Sequence, residues 1–113
     1  MKQYRYADVR IRFLRTSDGG RQTPAALCGG VYRPHVRVGG DGEYLGVVFV
    51  SGPVSVSPGE EADATVSFIF DVDDSPLQPG VEFEVLEGLR IVARGTVQRR
   101  WESERAWHSW HAA

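Results

Sequence analysis

Three histidines and one cysteine limit the chemistry open to this chain of 113 residues. His108 and His111 stand three apart, a spacing that could clamp a metal, but no third ligand lies close in sequence and a solvated pair is the plainer reading. Cys28, between Ala26-Leu27 and Gly29-Gly30, has no evident histidine–asparagine partners and reads as a small packed side chain. Asp71-Val72-Asp73-Asp74-Ser75, with Glu82 eleven residues after Asp71, echoes a calcium loop. Pro76 takes the place that needs glycine and the flanks read as strands, so a solvated turn is expected instead. His35 sits between Arg33 and Arg37, whose charge disfavours an imidazolium, and no nucleophile elbow is present. A Gly-x-x-x-x-Gly-Lys-Ser/Thr loop is absent, and Lys2 is the only lysine. These residues call for a non-enzymatic protein with no cofactor, no metal and no bound nucleotide.

Charge carries more information. Residues 1–38 hold eight Lys/Arg and two Asp/Glu, residues 39–89 hold eleven Asp/Glu and no Lys or Arg, and residues 90–113 hold five Arg and two Glu. Two readings stay open. The segregation could build a bipolar surface with a basic face for an anionic partner, or antiparallel strands could bring the signs together as cross-strand pairs. Twelve of the thirteen basic residues are arginine, the better fork for phosphate.

The elements that would position these groups are short and extended. Residues 7–15 alternate, with Val9, Ile11 and Phe13 on one face and Asp8, Arg10 and Arg12 on the other, as in a half-buried strand. Asp18-Gly19-Gly20 ends that strand with residues that tolerate positive φ. Residues 32–38 read as the next strand, with Pro34 fit only for an edge or a ladder irregularity because it lacks an N–H. Gly39-Gly40-Asp41-Gly42 is a turn. Tyr44 to Val50 is a largely apolar strand that Val54–Val56 could extend, and Ser57-Pro58-Gly59-Glu60 turns the chain again. Ala62 to Phe70 is a strand with Val66, Phe68 and Phe70 inward; Asp71 to Gly80 is a loop. Val81–Leu86 and Leu89–Gln98 form a hairpin through Glu87-Gly88. Short strands at regular turn signals, with no amphipathic helix of length, give one all-β domain, a barrel or a sandwich. Residues 101–113 differ: Trp101, Trp107 and Trp110 sit among polar residues, and a short helix that buries indoles over a barrel end is expected there.

No apolar run approaches the roughly 20 residues that span a bilayer. Met1-Lys2-Gln3-Tyr4-Arg5-Tyr6 has no apolar stretch after its charges and does not read as a signal peptide. A single cysteine excludes an internal disulfide, which fits a reducing, cytoplasmic setting without a membrane.

Four segments taken together carry a family likeness: Gly19-Gly20-Arg21-Gln22-Thr23-Pro24, the strand start Tyr32-Arg33-Pro34, the turn Pro58-Gly59-Glu60, and Glu87-Gly88-Leu89-Arg90-Ile91-Val92-Ala93-Arg94-Gly95-Thr96-Val97. In order and spacing they resemble the C-terminal β-barrel of elongation factor Tu, over about residues 7–98. The resemblance implies a six-stranded antiparallel β-barrel spanning residues 1–100, free of its GTPase, with residues 101–113 as a Trp/His-rich extension. In that family the barrel holds the T stem of aminoacyl-tRNA and packs against the GTPase domain. The positions matching the stem-contacting loops are Arg21, Gln22 and Thr23, then Glu87 and Gly88. Arginine can bridge phosphate oxygens, and a carboxylate or backbone group can reach the ribose 2′-hydroxyl that marks RNA. The outward arginines Arg10, Arg12, Arg33 and Arg37 would add electrostatic support. Three departures stand out: Gln22 replaces the family's usual histidine, Gly39-Gly40 a threonine-rich turn, and Leu89 the second glycine of the Glu-Gly-Gly turn. The expectation is a module that binds tRNA or structured RNA. The alternative is a protein-interaction module that competes for the partners of elongation factor, its exchange factor among them, or acts as a decoy for toxins that target the factor.

Overall fold

The computed structural model describes residues 3–69 and 72–106. Within them six antiparallel strands close into a barrel in the order β1-β4-β3-β2-β5-β6. The strands are β1 (Tyr4–Phe13), β2 (His35–Arg37), β3 (Leu45–Ser51), β4 (Glu61–Phe68), β5 (Glu82–Glu87) and β6 (Arg90–Ser103). Closure leaves no open sheet edge, so each strand finds partners for its backbone on both sides.

The alternation read in residues 7–15 is the inward face of β1: Val9, Ile11 and Phe13 are buried in the lumen, and Arg10 and Arg12 face solvent. They pack with Val47 and Phe49 of β3, Val66 of β4, Phe83 and Val85 of β5 and Val97 of β6. Gly95 keeps this core tight. A Cβ there would stand 2.5 Å from Cζ of Phe83 and 2.9 Å from the Arg10 carbonyl, so only glycine lets the Phe83 ring lie across β6.

Four irregularities shape the wall. Register shifts between Val85 and Leu86 on β5 and between Asp8 and Val9 on β1 mark bulges against β6. At the first, Val92 and Ala93 are both buried although they are consecutive. A register shift between Phe49 and Ser51 on β3 marks the third, against β4, and Pro34 accounts for the fourth. The strand expected over 32–38 is reduced to His35–Arg37, and the preceding segment is tied to β3 by Val47 N–H to Pro34 O (3.1 Å), Phe49 N–H to Tyr32 O (3.0 Å) and Gly30 N–H to Phe49 O (3.1 Å). Val56, expected to prolong β3, instead bridges Ala25.

β6 runs through Trp101 to Ser103, so Trp101 belongs to the barrel wall. Its ring stacks on Tyr6 at 4.4 Å and its indole N–H donates to Asp8 Oδ1 at 3.0 Å, forming a small outer cluster with Val48 and Val50. Trp107, Trp110, His108 and His111, and the helix expected to carry them, lie outside the described residues, as do Phe70 and Asp71.

Because β1 and β6 are antiparallel, Tyr4 pairs with Ser103 at one end of the barrel and Phe13 with Ala93 at the other. The loops therefore sort into two groups. The loop 72–81 lies at the first end; the loop 14–24 and the β5–β6 turn lie at the second.

Candidate nucleic-acid interface

The second end is built from two segments far apart in sequence. After β1 the chain makes a single 3-10 turn over Thr16–Asp18, and Gly19 reverses it at φ 92°. Gly20 must follow without a side chain: a Cβ would fall 2.1 Å from the Leu14 carbonyl oxygen. Gly20 N–H donates to Arg15 O (2.9 Å) and Thr16 Oγ1 donates to Arg21 O (2.6 Å), which turns Arg21 back toward the barrel. The second segment is the tight turn Gly88-Leu89 between the paired residues Glu87 and Arg90, with Gly88 at φ 62°. Arg90 ties the two together by donating to Gly19 O (2.8 Å) and Gly20 O (2.7 Å).

Arg21 and Glu87, 66 residues apart, meet directly in an ion pair. Tyr32 joins them from the segment before β2. Its hydroxyl donates to Glu87 Oε2 at 2.6 Å, and the Arg21 guanidinium lies 5.0 Å above its ring. Arg21 also donates through Nε to Thr23 O (3.2 Å), and through Nη2 toward Thr23 Oγ1 and Pro24 O (both 3.4 Å). Burial opposes the Arg21 charge, but the hydrogen bond and Coulomb attraction of Glu87 outweigh it, and the guanidinium pKa rises. Burial, then the hydrogen bond to Glu87 and its charge, push the Tyr32 phenol well above its ordinary value. The result is a half-buried brace, with the Arg21 and Glu87 side chains 20% and 36% accessible.

The sequence-derived residues thus divide. Arg21, Thr23 and Glu87 share one hydrogen-bonded cluster, with Gln22 and Gly88 exposed beside it. Arg33 is exposed on the segment next to Tyr32, its Nε bound to Gly30 O at 3.0 Å. Arg10, Arg12 and Arg37 stand on the side wall against carboxylates: Arg10 with Glu61 (3.0 Å) and Asp63 (3.3 Å), Arg12 with Glu61 (3.7 Å), and Arg37 with Glu84 (3.0 Å). The hydrogen bond that Arg10 donates to Glu61, with the charges of Asp63 and Glu61, raises the Arg10 pKa. Of the two readings of the charge pattern, the structure shows cross-strand pairing. The register brings the acidic strands β4 and β5 against the basic strands β1, β2 and β6. Sequence reasoning missed Arg15, Arg90 and Tyr32. Only the hairpin-closing position of Arg90 offered a signal.

The opposite end holds a second ion cluster. Asp74, buried to 7% accessibility, lies 2.7 Å from Arg5 and 3.1 Å from Arg100. Arg100 further donates to the carbonyls of Asp74 (3.2 Å) and Leu77 (2.9 Å), and Arg5 to that of Val72 (3.3 Å). Leu77 is buried under this clasp and closes the lumen. Asp73 accepts Ser75 N–H in a local turn, and the Ser75 bonds lower its pKa. Among the described residues no group of three or more His, Cys, Asp or Glu is placed to hold a metal, and no helix is long and apolar enough to cross a membrane.

No protein-family model matches the chain. Elongation factor Tu 2 of Streptomyces avermitilis is 37% identical to it over 89 residues, which cover 79% of this chain and 21% of that protein. The chain therefore spans about a fifth of the length of the curated relative it matches.

Proposed function

On the premise that this chain is a β-barrel of the elongation factor Tu C-terminal type in sequence and architecture, we propose that it is a non-enzymatic module contacting structured RNA, tRNA above all. The contact surface is the barrel end formed by residues 14–24 and the Glu87-Gly88-Leu89 turn, with Arg21, Gln22, Thr23, Glu87 and Gly88 at its centre. The observation that carries the reading is the Arg21–Tyr32–Glu87 brace, which holds two loops from distant parts of the chain as one rim. A preformed rim of backbone groups, hydroxyls and guanidinium donors suits phosphate and ribose better than an apolar ligand. The test is a titration with bulk tRNA at two salt concentrations. Binding at roughly micromolar Kd that weakens with salt, and is lost on Arg21→Ala, is expected; salt-independent binding or none refutes it.

A protein partner is the second reading, favoured by Leu89, a large apolar side chain 89% accessible at the tip of the same rim. Elongation factor, its exchange factor, or a toxin acting on the factor would be the partner. Capture of one of these by the wild-type chain and not by Leu89→Ser, with no tRNA binding, would select this reading.

A further inference from the structure

Eleven of the twelve arginines, Arg105 aside, fall into two classes. Arg5, Arg10, Arg12, Arg21, Arg37, Arg94, Arg99 and Arg100 each lie against a carboxylate. Arg15, Arg33 and Arg90 have no carboxylate partner among the described residues, and all three are exposed.

These three share one place in the fold. Arg15 accepts the N–H groups of Asp18 and Gly20 on its carbonyl, at 2.9 Å each, and its stem runs beside Gly59. Arg90 grips the carbonyls of Gly19 and Gly20. Arg33 adjoins Tyr32, the residue that reaches Glu87. Two of them are half-fixed: Arg33 uses only Nε and Arg90 only Nη2, which anchors each guanidinium and leaves its other N–H groups without a protein partner among the described residues. The acidic groups at this end are few. Glu87 is held by Arg21, Glu60 accepts Ser57 N–H, and Asp18 is exposed.

We propose that Arg15, Arg33 and Arg90 are the phosphate-contacting residues of this rim, taking the phosphodiester backbone of RNA, and that Arg21 and Glu87 are positioning residues. The inference rests on the RNA reading above and assigns its contacts to different side chains. Arg21 is unsuited to phosphate because its donors are already spent on Glu87, Thr23 and Pro24. Anchored arginines that lack a carboxylate lose no ion pair when a phosphate arrives, and planar guanidinium forks match phosphate oxygens.

Each neutralised phosphate contributes roughly 0.7–0.9 to the slope of log K against log salt concentration. The full chain is titrated with bulk tRNA across a salt series, alongside the Arg15→Gln/Arg33→Gln/Arg90→Gln variant. The slope should fall by about two to three in the variant. The Arg15→Gln/Arg33→Gln variant spares the Arg90 bonds that organise the loop; it should remain folded by circular dichroism and lose about 1.4–1.8 units of slope. Wild-type binding whose slope survives both variants overturns this assignment and leaves the RNA reading standing. Absence of wild-type binding overturns both. A duplex DNA of equal length bound more tightly than tRNA would overturn RNA as the ligand.

Discussion

The two ends of the barrel use the same chemistry, arginine against carboxylate, for opposite ends. At the Asp74 end one buried carboxylate takes two guanidinium groups, each of which also donates to loop carbonyls, and Leu77 is buried beneath. At the Glu87 end the brace stays half-accessible, and around it stand three arginines without carboxylates. The first cluster staples a loop, while the second frames a surface. What separates them is the charge balance of the surrounding loops and the depth of the carboxylate.

The comparison breaks most visibly at Asp74. Removing one member of a buried pair leaves charge without compensation, a loss of about 3–5 kcal/mol; partial exposure of Arg5 and Arg100 puts Asp74→Asn toward the lower figure. A fall in Tm on the order of 10 °C is expected, with RNA affinity at low temperature unchanged. Thermal melting followed by circular dichroism checks the first, and the tRNA titration the second. A variant as stable as wild type would show that the clasp contributes nothing net, and lost affinity would show that the two ends are coupled.

Glu87→Gln sharpens the contrast from the other side. This pair is partly solvated, so its loss should lower stability by only about 1 kcal/mol. The rim gains a net positive charge, and tRNA should bind more tightly at low salt. Weaker binding would mean that the carboxylate itself touches the RNA, through a ribose hydroxyl, and that Glu87 is more than a brace.

Much of the framework was legible in the residues. Val9, Ile11 and Phe13 announced β1, Glu87-Gly88 the hairpin, and Pro34 a broken ladder, because each follows from local geometry: period two, a tight turn, a missing N–H. The site was legible only as two separate loops. That Arg21 and Glu87 neutralise each other depends on the closure of β5 against β6 and on the reach of Tyr32 from the segment before β2 to Glu87, and no local pattern encodes either. Asp74 was misread for a related reason. In an acidic, proline-rich segment it looks solvated, and its burial is decided by Arg5 and Arg100 at the two far ends of the chain. Trp101 looked like part of a tail because the bulge beside Asp8 carries β6 beyond where strict alternation stops.

The smallest effect is the most specific to the open end. Tyr32 holds its proton above its ordinary range, through burial first and then through the Glu87 hydrogen bond and charge. An unfolded tyrosine ionises near pH 10. Above that pH the unfolded chain releases a proton that the folded chain keeps, so stability is fully present below pH 10 and declines as the pH rises beyond it. Tyr32→Phe removes this dependence together with a hydrogen bond to a charged group worth about 1.5 kcal/mol. The variant should therefore melt a few degrees below wild type at pH 8, and the difference should narrow between pH 10 and 11. Because the other tyrosines are common to both proteins, their titration cancels in the comparison. A difference that stays constant with pH would mean the phenol is not held between Arg21 and Glu87, and the brace that joins the two loops would have to be given up.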